Sequence, residues 1–473
     1  MGGTNQPMPA NVDLLLAGGW VITMNGRREI FRDGAVAIRG SAIWSVGRRS
    51  DVMASVRPER TIDTSRMVVA PGLVNGHRHL LCCPKGALPE GADTLGSLRR
   101  FTYPCFSALT EEHMHAYTLH ATAEMIRFGT TTFEEPGCNH LEAVLDALAT
   151  SGIRARVGPW TWDQAGPLGR ENLPDWLVLG APDALERLRK GIETVRAFAN
   201  PRIADAVTLE GVGTCSDALT LGAAKLAEEA DSLAVLHKAS SEREVAVEID
   251  HFGERPVAHM HSIGALNPHV LLNHMTSLDD NDVTLVAETG ARICQNPSSA
   301  LKFAKGTTQT GKWPELLAEG VPIALGTDAE NVSNHQDICR SMQLAALLPR
   351  DARRDPTAVS AEQALEMATI GGARALRLDH LVGSLEPGKQ ADITCFDTED
   401  FDWRPLHNPV ANLVYGSTGH SVDTVLVAGD IVLERKRLVR VDEGALREEV
   451  ERIDRQMLAA IGIDPSPAWP VIE

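Results

Sequence analysis

The sequence predicts an α/β protein, a distorted (β/α)8 TIM barrel with a composite β-sandwich built from both ends of the chain. Two observations indicate this fold class. In the middle of the chain, apolar runs such as "VLLNHM" and "VPIALGTD" alternate with helical stretches such as "TEEHMHAYTLHATAEMIRFG", which is typical of a parallel sheet covered by helices. In residues 12–66 and 391–440, short β-rich runs are separated by Gly, Asn and Asp, as in a small sandwich.

These patterns divide the chain into four segments. Residues 1–66 and 383–440 are predicted to supply the two parts of the sandwich. Residues 67–382 are predicted to form the barrel, because their length suits eight strand–helix units with insertions. Residues 441–473 are predicted to form a C-terminal helix and tail. That helix should bury a single apolar stripe, formed by Leu446, Val450, Ile453 and Met457.

Composition restricts the class of partner. The 473 residues carry a formal net charge of −18, and 43% of them are hydrophobic. Such a surface repels nucleic acid and anionic membranes, so we expect neither as a partner. No apolar run reaches the roughly 18 residues of a membrane helix, a signal-peptide pattern is missing, and the cysteines form no regular framework. We therefore expect a cytoplasmic protein that acts on a small molecule.

Three His-x-His triplets are candidates for a metal site, at residues 77–79, 113–115 and 259–261. His77 and His79 end the strand-like run "MVVAPGLVNGHRHL", and side chains two apart on a strand point to the same side. Both can face the barrel axis, at the end where barrel active sites lie. The other two triplets lie in helical patterns, where residues two apart diverge. They are predicted to be surface or packing histidines.

Three further potential ligands each follow an apolar strand. The run "DSLAVLHKAS" contains His237, "PHVLLNHM" contains His274, and "GVPIALGTDAEN" contains Asp328. Any one of them alone could equally be a core polar group with its hydrogen bonds satisfied. Together with His77 and His79 they form a donor set suited to Zn²⁺, Fe²⁺, Co²⁺ or Mn²⁺.

The chain resembles the metal-dependent amidohydrolase superfamily, and within it the branch of the s-triazine hydrolases, cytosine deaminase and guanine deaminase. The resemblance covers about residues 12–440 and is carried by the segments "PGLVNGHRHL", "GTTTF", "VLLNHM", "GTDAENVSN" and "GSLEPGKQADI". It implies one divalent metal ion, zinc first, with iron, cobalt or manganese as alternatives, held by His77, His79, His237 and Asp328. His274 would contact the attacking water or the substrate, and Asp328 would also accept the proton of the water. A homodimer or higher homo-oligomer is implied as well.

The chain departs from this branch just after His237. The corresponding strand in the branch usually reads His-x-x-Glu, and the glutamate passes protons, notably to a ring nitrogen during deamination. An alternative register would place Ala239 at the ligand position, but the spacing to Arg255 favours His237 as the ligand. Ser240 then occupies the position of the glutamate.

Glu242 and Glu244 lie nearby in sequence, and we expect both to be solvated on the following helix. A second departure is the "HCP" stretch of the triazine and purine enzymes, which is replaced by the tripeptide Gln295-Asn296-Pro297. Both departures, Ser240 and this tripeptide, argue against deamination of a purine or of cytosine.

These departures favour an amide-like C–N bond as the target. A serine cannot protonate a heteroaromatic ring as a carboxylic acid does. We predict hydrolysis of an N-aryl urea, carbamate or thiocarbamate, as in the phenylurea hydrolases and molinate hydrolase, with Asp328 carrying the proton from water to the leaving group. The alternative is an s-triazine or other heterocycle aminohydrolase, which needs another acid, such as Glu242 turned inward. A barrel that has lost catalysis and serves as a scaffold is a third reading, disfavoured because every metal position is filled.

The sequence defines the substrate pocket less well. Trp160 and Trp162 lie two apart in "VGPWTWDQ", so both would face the cavity if the strand continues. Aromatic walls suit an N-aryl or N-alkyl substrate, and packing in the core is the equal alternative. The polar candidates for substrate contact are Ser240, Gln295, Asn296 and Asn331.

Overall fold

A computed structural model of the chain describes residues 8–81, 84–166, 177–211 and 213–472. These residues form twenty strands. The strands are β1 (Ala10–Ala17), β2 (Trp20–Ile22), β3 (Ile30–Phe31), β4 (Gly34–Arg39), β5 (Ala42–Arg48), β6 (Val56–Asp63), β7 (Met67–Pro71), β8 (Leu73–Asn75), β9 (Thr130–Glu134), β10 (Arg154–Val157), β11 (Ile203–Asp205), β12 (Val207–Gly211), β13 (Ala234–Lys238), β14 (Val270–His274), β15 (Arg292–Gln295), β16 (Ile323–Leu325), β17 (Ile393–Asp397), β18 (Val422–Val427), β19 (Asp430–Glu434) and β20 (Arg437–Leu438).

Nineteen α-helices connect and cover these strands in the described part of the chain. They are α1 (Arg49–Ser55), α2 (Thr94–Ser97), α3 (Tyr103–Ala108), α4 (Glu111–Arg127), α5 (Leu141–Ser151), α6 (Ala181–Phe198), α7 (Asp217–Glu229), α8 (Glu242–Phe252), α9 (Pro256–Ser262), α10 (Asp280–Thr289), α11 (Pro297–Lys302), α12 (Thr307–Thr310), α13 (Trp313–Ala318), α14 (Glu330–Ser333), α15 (Ile338–Arg353), α16 (Ala361–Met367), α17 (Ile370–Ala375), α18 (Pro409–Ala411) and α19 (Glu443–Ile461).

Strands β8 to β16 form a parallel barrel. They are hydrogen-bonded in two groups, in the orders β11-β10-β9-β8 and β12-β13-β14-β15-β16. Only Ala206 separates β11 from β12, so these two strands share one position and the barrel has the usual eight. A hydrogen bond of 2.7 Å from Gly76 N to Leu325 O joins the end of β8 to β16 and closes the ring. Strands β9, β13 and β14 are buried along their whole length, as expected under a cover of helices. The predicted fold class is confirmed.

The two ends of the chain form one β-sandwich. One sheet has the order β5-β4-β1-β6 and the other the order β20-β19-β18-β17-β7-β2-β3. In the second sheet, β7 pairs with β17, and Pro71 lies opposite Ile393. The sandwich therefore extends to Pro71, past the boundary predicted at residue 66. The sequence pattern missed this because β7 and β8 form one apolar run, interrupted only by Gly72.

The C-terminal helix α19 packs on α4. Tyr117 of α4 donates a hydrogen bond of 2.7 Å to Asp454 of α19. The buried face of α19 is the predicted stripe of Leu446, Val450, Ile453 and Met457. Among the described residues, no helix combines the length and the apolar composition that crossing a bilayer requires.

A buried ion pair joins the barrel to the sandwich. Arg154 of β10 donates from Nε and Nη2 to the two carboxylate oxygens of Asp392, each at 2.9 Å. Asp392 immediately precedes β17 and also accepts a hydrogen bond from Ala428 N. The two side chains are only 3% and 1% exposed. The paired geometry satisfies both charges, and removal of one partner would leave the other charge buried alone.

We expect Asp392→Ala to lower the free energy of unfolding by about 3–5 kcal/mol, because the Arg154 guanidinium would stay buried without its counter-ion. Urea titration followed by circular dichroism measures the change. The control is Glu186→Ala, since Glu186 forms its ion pair on the surface of α6 with half-exposed partners, and such pairs contribute less than about 1 kcal/mol. An equal loss in both variants would show that the Arg154–Asp392 pair contributes no more to the free energy of unfolding than a surface ion pair does.

Candidate metal centre

The side chains of the first triplet meet those of three other strand ends at one rim of the barrel. His77 and His79 follow β8, His237 lies in β13, His274 ends β14, and Asp328 follows β16. The ring of His77 lies 4.8, 5.0 and 5.2 Å from the rings of His79, His237 and His274, measured between centroids. All five side chains are buried. The structure thus brings together the full set of candidate ligands.

The other two triplets lie on helices, as expected. His113 is in the first turn of α4 and completes the N-terminal cap with Thr110. His259 in α9 lies 2.8 Å from an Asp217 carboxylate oxygen, and His261 is exposed. The members of these triplets therefore have capping, pairing or surface roles.

The backbone is strained at two members of the cluster. His274 and Asp328 have φ values of 73° and 63°, in the left-handed region that side-chain-bearing residues rarely adopt. Asp328 N donates a hydrogen bond of 2.9 Å to His77 O, and Asp328 Oδ1 accepts one of 2.6 Å from Ala329 N. Such strain persists where the surroundings fix it, and it is concentrated at functional sites. Here it turns both side chains toward the barrel axis.

Several ring nitrogens of the cluster converge on one point. His79 Nε2 lies 3.1 Å from His237 Nε2. Both ring nitrogens of His77 are buried and have no hydrogen-bond partner among the described residues, and His77 Nε2 is 3.8 Å from Asp328 Oδ1. Buried polar atoms are normally paired. A divalent cation bound between these nitrogens and the carboxylate satisfies them together, so the donor set fits the predicted metal ion.

Burial keeps the histidines of the cluster neutral. Burial and the neighbouring His237 lower the pKa of His79 to about 3, and burial lowers the pKa of His237 to about 4. Burial by itself would raise the pKa of Asp328, but attraction to His274 and His79 holds that pKa below its ordinary value. At neutral pH the cluster therefore offers neutral imidazoles and one carboxylate, which are the forms that bind a metal ion.

Hydrogen bonds distinguish the roles of His237 and His274. His237 Nδ1 lies 2.7 Å from Glu210 O; with the proton on Nδ1, the Nε2 lone pair is free for a metal. His274 Nδ1 lies 3.2 Å from Asn296 Nδ2. When this amide donates, the imidazole carries its proton on Nε2 and acts as a donor. This arrangement suits His274 as a hydrogen-bond donor to a reacting oxygen, with Asn296 orienting it.

Two buried carboxyl groups behind the cluster were missed by the sequence analysis. Glu134 Oε2 lies 3.9 Å from His77 Nδ1, and Glu135 Oε1 lies 4.0 Å from His79 Nδ1. Burial raises the pKa of both carboxyls well above the ordinary value. Metal-binding histidines commonly donate their second N–H to such carboxylates. The signal available in the sequence was the acidic pair that ends the apolar strand "TTTFEE".

A cavity lies directly over the cluster. The empty space at this site, including the open mouth, is about 580 Å³. Its described lining combines apolar and polar side chains: Leu81, Leu98, Trp160, Phe303 and Val332 are apolar, and Glu210, Ser240 and Lys305 are polar. This composition suits a flat organic molecule that needs polar contacts on one side.

The predicted pocket residues separate into two groups. Trp160 and Ser240 border the cavity, and Asn296 contacts His274, which also borders it. Trp162 does not line it, because its ring packs behind Trp160 at 5.0 Å and beside Tyr103 at 5.7 Å. Trp162 therefore takes the packing role that the sequence left open, and Trp160 borders the cavity.

Gln295 and Asn331 are also outside the described lining of the cavity. Gln295 Nε2 donates a hydrogen bond of 3.3 Å to Met275 O, and this contact points its amide at the backbone. Asn331 is fully buried in α14. Neither residue borders the described cavity, and their contact with a substrate stays a prediction.

The expectation that Glu244 is solvated is wrong. Glu244 is 2% exposed, and Ser240 Oγ hydrogen-bonds to its Oε2. Glu242 is exposed on the same helical turn, as expected. Ser241 caps α8 by accepting a hydrogen bond of 3.2 Å from Glu244 N, and the Glu244 side chain lies against Ser240 instead of in solvent. Ser240, at the position of the glutamate, is therefore hydrogen-bonded to a buried carboxyl group.

Glu210 is a second cavity carboxyl that the sequence analysis missed. Its Oε1 lies 3.5 Å from Tyr103 Oη, and its Oε2 lies 3.7 Å from His237 Nδ1. Burial and the nearby Glu244 raise the pKa of Glu210 to about 8. The available signal was an acidic residue at the end of the apolar run "AVTLE".

The pattern of the amidohydrolase family matches residues 68–432. The chain belongs to the amidohydrolase family. As expected from the sequence, this amidohydrolase is a metal-dependent hydrolase of C–N bonds other than peptide bonds.

Similar proteins cover nearly the whole amidohydrolase chain. A 5-methylthioadenosine/S-adenosylhomocysteine deaminase of Nitratidesulfovibrio vulgaris is 33% identical, over 95% of this chain and 99% of its own. An adenosine deaminase from Xanthomonas campestris, solved with bound zinc, is 29% identical with a TM-score of 0.86, over 96% of this chain and 99% of its own.

Atrazine chlorohydrolase from Arthrobacter aurescens TC1, solved with zinc, shares the fold at 23% identity and a TM-score of 0.80, over 95% of this chain and 100% of its own. The predicted likeness to the s-triazine hydrolase and deaminase branch agrees with these neighbours. The finer likeness to the phenylurea hydrolases and molinate hydrolase has no support from them and stays a prediction.

We expect His237→Ala to lower the affinity of the amidohydrolase for Zn²⁺ by at least about 100-fold, because it removes a ligand from the cluster. Competition with a chromophoric chelator measures the affinity. His261→Ala is the matched control, since it removes an exposed histidine of a helical triplet and should leave the affinity unchanged. Unaltered Zn²⁺ binding by His237→Ala would contradict the assignment of this cluster as the metal centre.

Proposed function

We propose that this amidohydrolase replaces an exocyclic amino group of a heteroaromatic ring, such as the adenine ring of a purine nucleoside, by the oxygen of water. The observation that carries the proposal is the presence of proton-bearing groups beyond Asp328 around the cavity. Glu210 borders the cavity, and Ser240 links it to Glu244. Ring deamination needs an acid for a ring nitrogen as well as a base for water.

The comparisons support the same reading. Two of the relatives that match this chain over nearly their whole length, at 33% and 29% identity, carry the names of deaminases of adenine-containing compounds. The sequence-based choice of an acyclic substrate rested on the lack of an acid near Ser240 and on the tripeptide Gln295-Asn296-Pro297, and buried Glu244 removes the first of these objections. The alternative named from the sequence, a heterocycle aminohydrolase, thus becomes the leading proposal.

In this proposal His77, His79, His237 and Asp328 hold one zinc ion. When bound, zinc lowers the pKa of a water molecule toward about 7 and makes it a nucleophile at neutral pH. Asp328 accepts the proton of the attacking water and later gives it to the departing amino group. His274, with its proton on Nε2, donates a hydrogen bond to the oxygen on which charge develops. Trp160 provides a flat apolar wall for the ring.

A second candidate is the hydrolysis of an amide-like C–N bond in an N-aryl urea, carbamate or thiocarbamate. The observation that favours it is Ser240 itself, because a serine stands where the branch usually has a glutamate. That reaction needs no proton carrier other than Asp328. The two candidates differ in the product. Ring deamination releases ammonia, whereas hydrolysis of an acyclic substrate releases an amine or a thiol.

We expect the zinc-loaded protein to release ammonia from 5-methylthioadenosine, S-adenosylhomocysteine or adenosine, and to leave an N-aryl urea and a dialkyl thiocarbamate intact. Mass spectrometry of the products, with each compound supplied separately, tests this. Release of an aniline or a dialkylamine without ring deamination would establish the second candidate. The control is the same protein after removal of zinc, which should be inactive on every compound.

We expect Asp328→Asn to lower kcat by at least about 1,000-fold, because the amide cannot accept the proton of water and general base catalysis contributes on that scale. The assay is run at saturating Zn²⁺, with metal content and circular dichroism measured on the same sample. Asp280→Asn is the control, since Asp280 is exposed at the start of α10. Turnover close to that of the natural protein in Asp328→Asn would refute the assignment of Asp328 as the base.

A further inference from the structure

Ser240 and Glu244 form a connected pair between the cavity and the start of α8. Ser240 borders the cavity together with His237 and His274, and it is 2% exposed. Its Oγ hydrogen-bonds to Oε2 of Glu244, which is also 2% exposed. A hydroxyl both donates and accepts hydrogen bonds. Ser240 can therefore give its own proton to one neighbour and take a proton from Glu244.

We propose that Ser240 and Glu244 act as a two-residue proton relay, which delivers a proton to a ring nitrogen of the substrate in place of the single glutamate of the branch. The inference rests on the proposed function, because only a ring substrate needs this proton. Ser240 would contact the substrate, and Glu244 would act through Ser240 by holding and replacing the proton of its hydroxyl.

Lys305 lies beside the relay and affects both the protonated and the ionised form of Glu244. Its Nζ lies 3.4 Å from Ser240 Oγ, and the side chain is 4% exposed. Burial raises the pKa of the Glu244 carboxyl, while the Lys305 ammonium and the hydrogen bond from Ser240 lower it. The protonated carboxyl is therefore favoured by burial, and the carboxylate left after donation is stabilised by the ammonium.

The pair also has a route to solvent. Glu244 and Lys305 border a second groove, beside the cavity, whose described lining includes exposed residues of α8 such as Glu242 and Arg243. Glu244 thus lies between the substrate cavity and a groove open to water. A proton lost in an incomplete cycle can be replaced from that side.

The protons balance through one turnover. As water attacks, one of its protons moves to Asp328, while the ring nitrogen takes the Ser240 hydroxyl proton and Ser240 takes the Glu244 carboxyl proton. The C–N bond then breaks, and the amino group leaves as ammonia with the proton from Asp328. As the C=O bond of the product forms, the second proton of the water returns through Ser240 to Glu244. Water enters, ammonia leaves, and all three residues are restored.

The test compares Ser240→Ala, Glu244→Gln and the double variant, all zinc-loaded, on whichever ring compound the natural protein deaminates. We expect each single variant to lower kcat by about 100-fold, the lower end of general acid catalysis, with KM changed by less than about threefold. The double variant should lose no more than either single variant, because both interrupt one path. Additive losses, or full kcat in both single variants, overturn the relay.

Two further variants separate a relay from a structural role. Glu242→Gln removes an exposed carboxyl from the same turn of α8 and should leave kcat unchanged. Ser240→Glu restores the glutamate of the branch, and in the Glu244→Gln background it should recover at least about 10-fold of the lost kcat. A merely structural Glu244 would show no such rescue, and its absence counts against the relay.

A spectroscopic measurement tests the relay without turnover. Infrared difference spectra of the zinc-loaded protein at neutral pH should contain a protonated-carboxyl C=O band that is lost in Glu244→Gln and kept in Glu242→Gln. If this band is absent, Glu244 has no proton to give and the relay is wrong. If the natural protein deaminates no ring compound, the proposed function fails and the relay fails with it. Deamination that is insensitive to Ser240 and Glu244 overturns the relay alone.

Discussion

All strands of the barrel direct their carboxyl ends to one rim, and the chemistry of this protein depends on that constraint. Four neutral imidazoles and one carboxylate meet there, buried and with few protein partners. Their lone pairs repel one another unless a cation lies between them. The left-handed backbone at His274 and Asp328 is tolerated because the closed barrel fixes it on all sides. Fold closure and metal binding are therefore parts of the same arrangement.

The sequence was sufficient where a simple periodicity determines the geometry. Alternation along a strand separated the His77–His79 triplet from the two helical triplets, and the structure places the three triplets accordingly. The continuous apolar runs predicted parallel, fully buried strands, and the spacing of the stripe in α19 predicted its buried face. For the buried strands and for α19, one regular element decides the direction of the side chains, without reference to the rest of the fold.

The sequence was insufficient where contacts between distant segments decide. Trp160 and Trp162 lie among isolated bridges rather than in a continuous strand, so alternation does not hold and one ring turns behind the other. Glu244 reads as a solvated first-turn residue, because nothing in its own segment reveals that this turn packs against the rim. Three acidic residues lie at or near strand ends, at Glu134, Glu135 and Glu210. Their contact partners lie on or beside other strands, and the sequence does not show which strands are neighbours.

Glu244 also shows why a motif that lacks one residue is a weak argument against a reaction. The chemistry needs a proton at a position in space, and a serine with a buried carboxyl behind it can meet that need from a neighbouring element. In the proposed relay, a side chain on the following helix takes over the role of a carboxylic acid at the strand end. A comparison restricted to the strand does not reveal this buried carboxyl.

The composite sandwich has a consequence for biosynthesis. Strand β7 lies inside the seven-stranded sheet, between β2 and β17, yet β17 is translated only after the whole barrel. Until then one edge of β7 stays unpaired on the nascent chain, and unpaired apolar edges promote association with other chains. The domain that begins synthesis first is thus completed only after the barrel, and this edge of β7 is available to other chains throughout that interval.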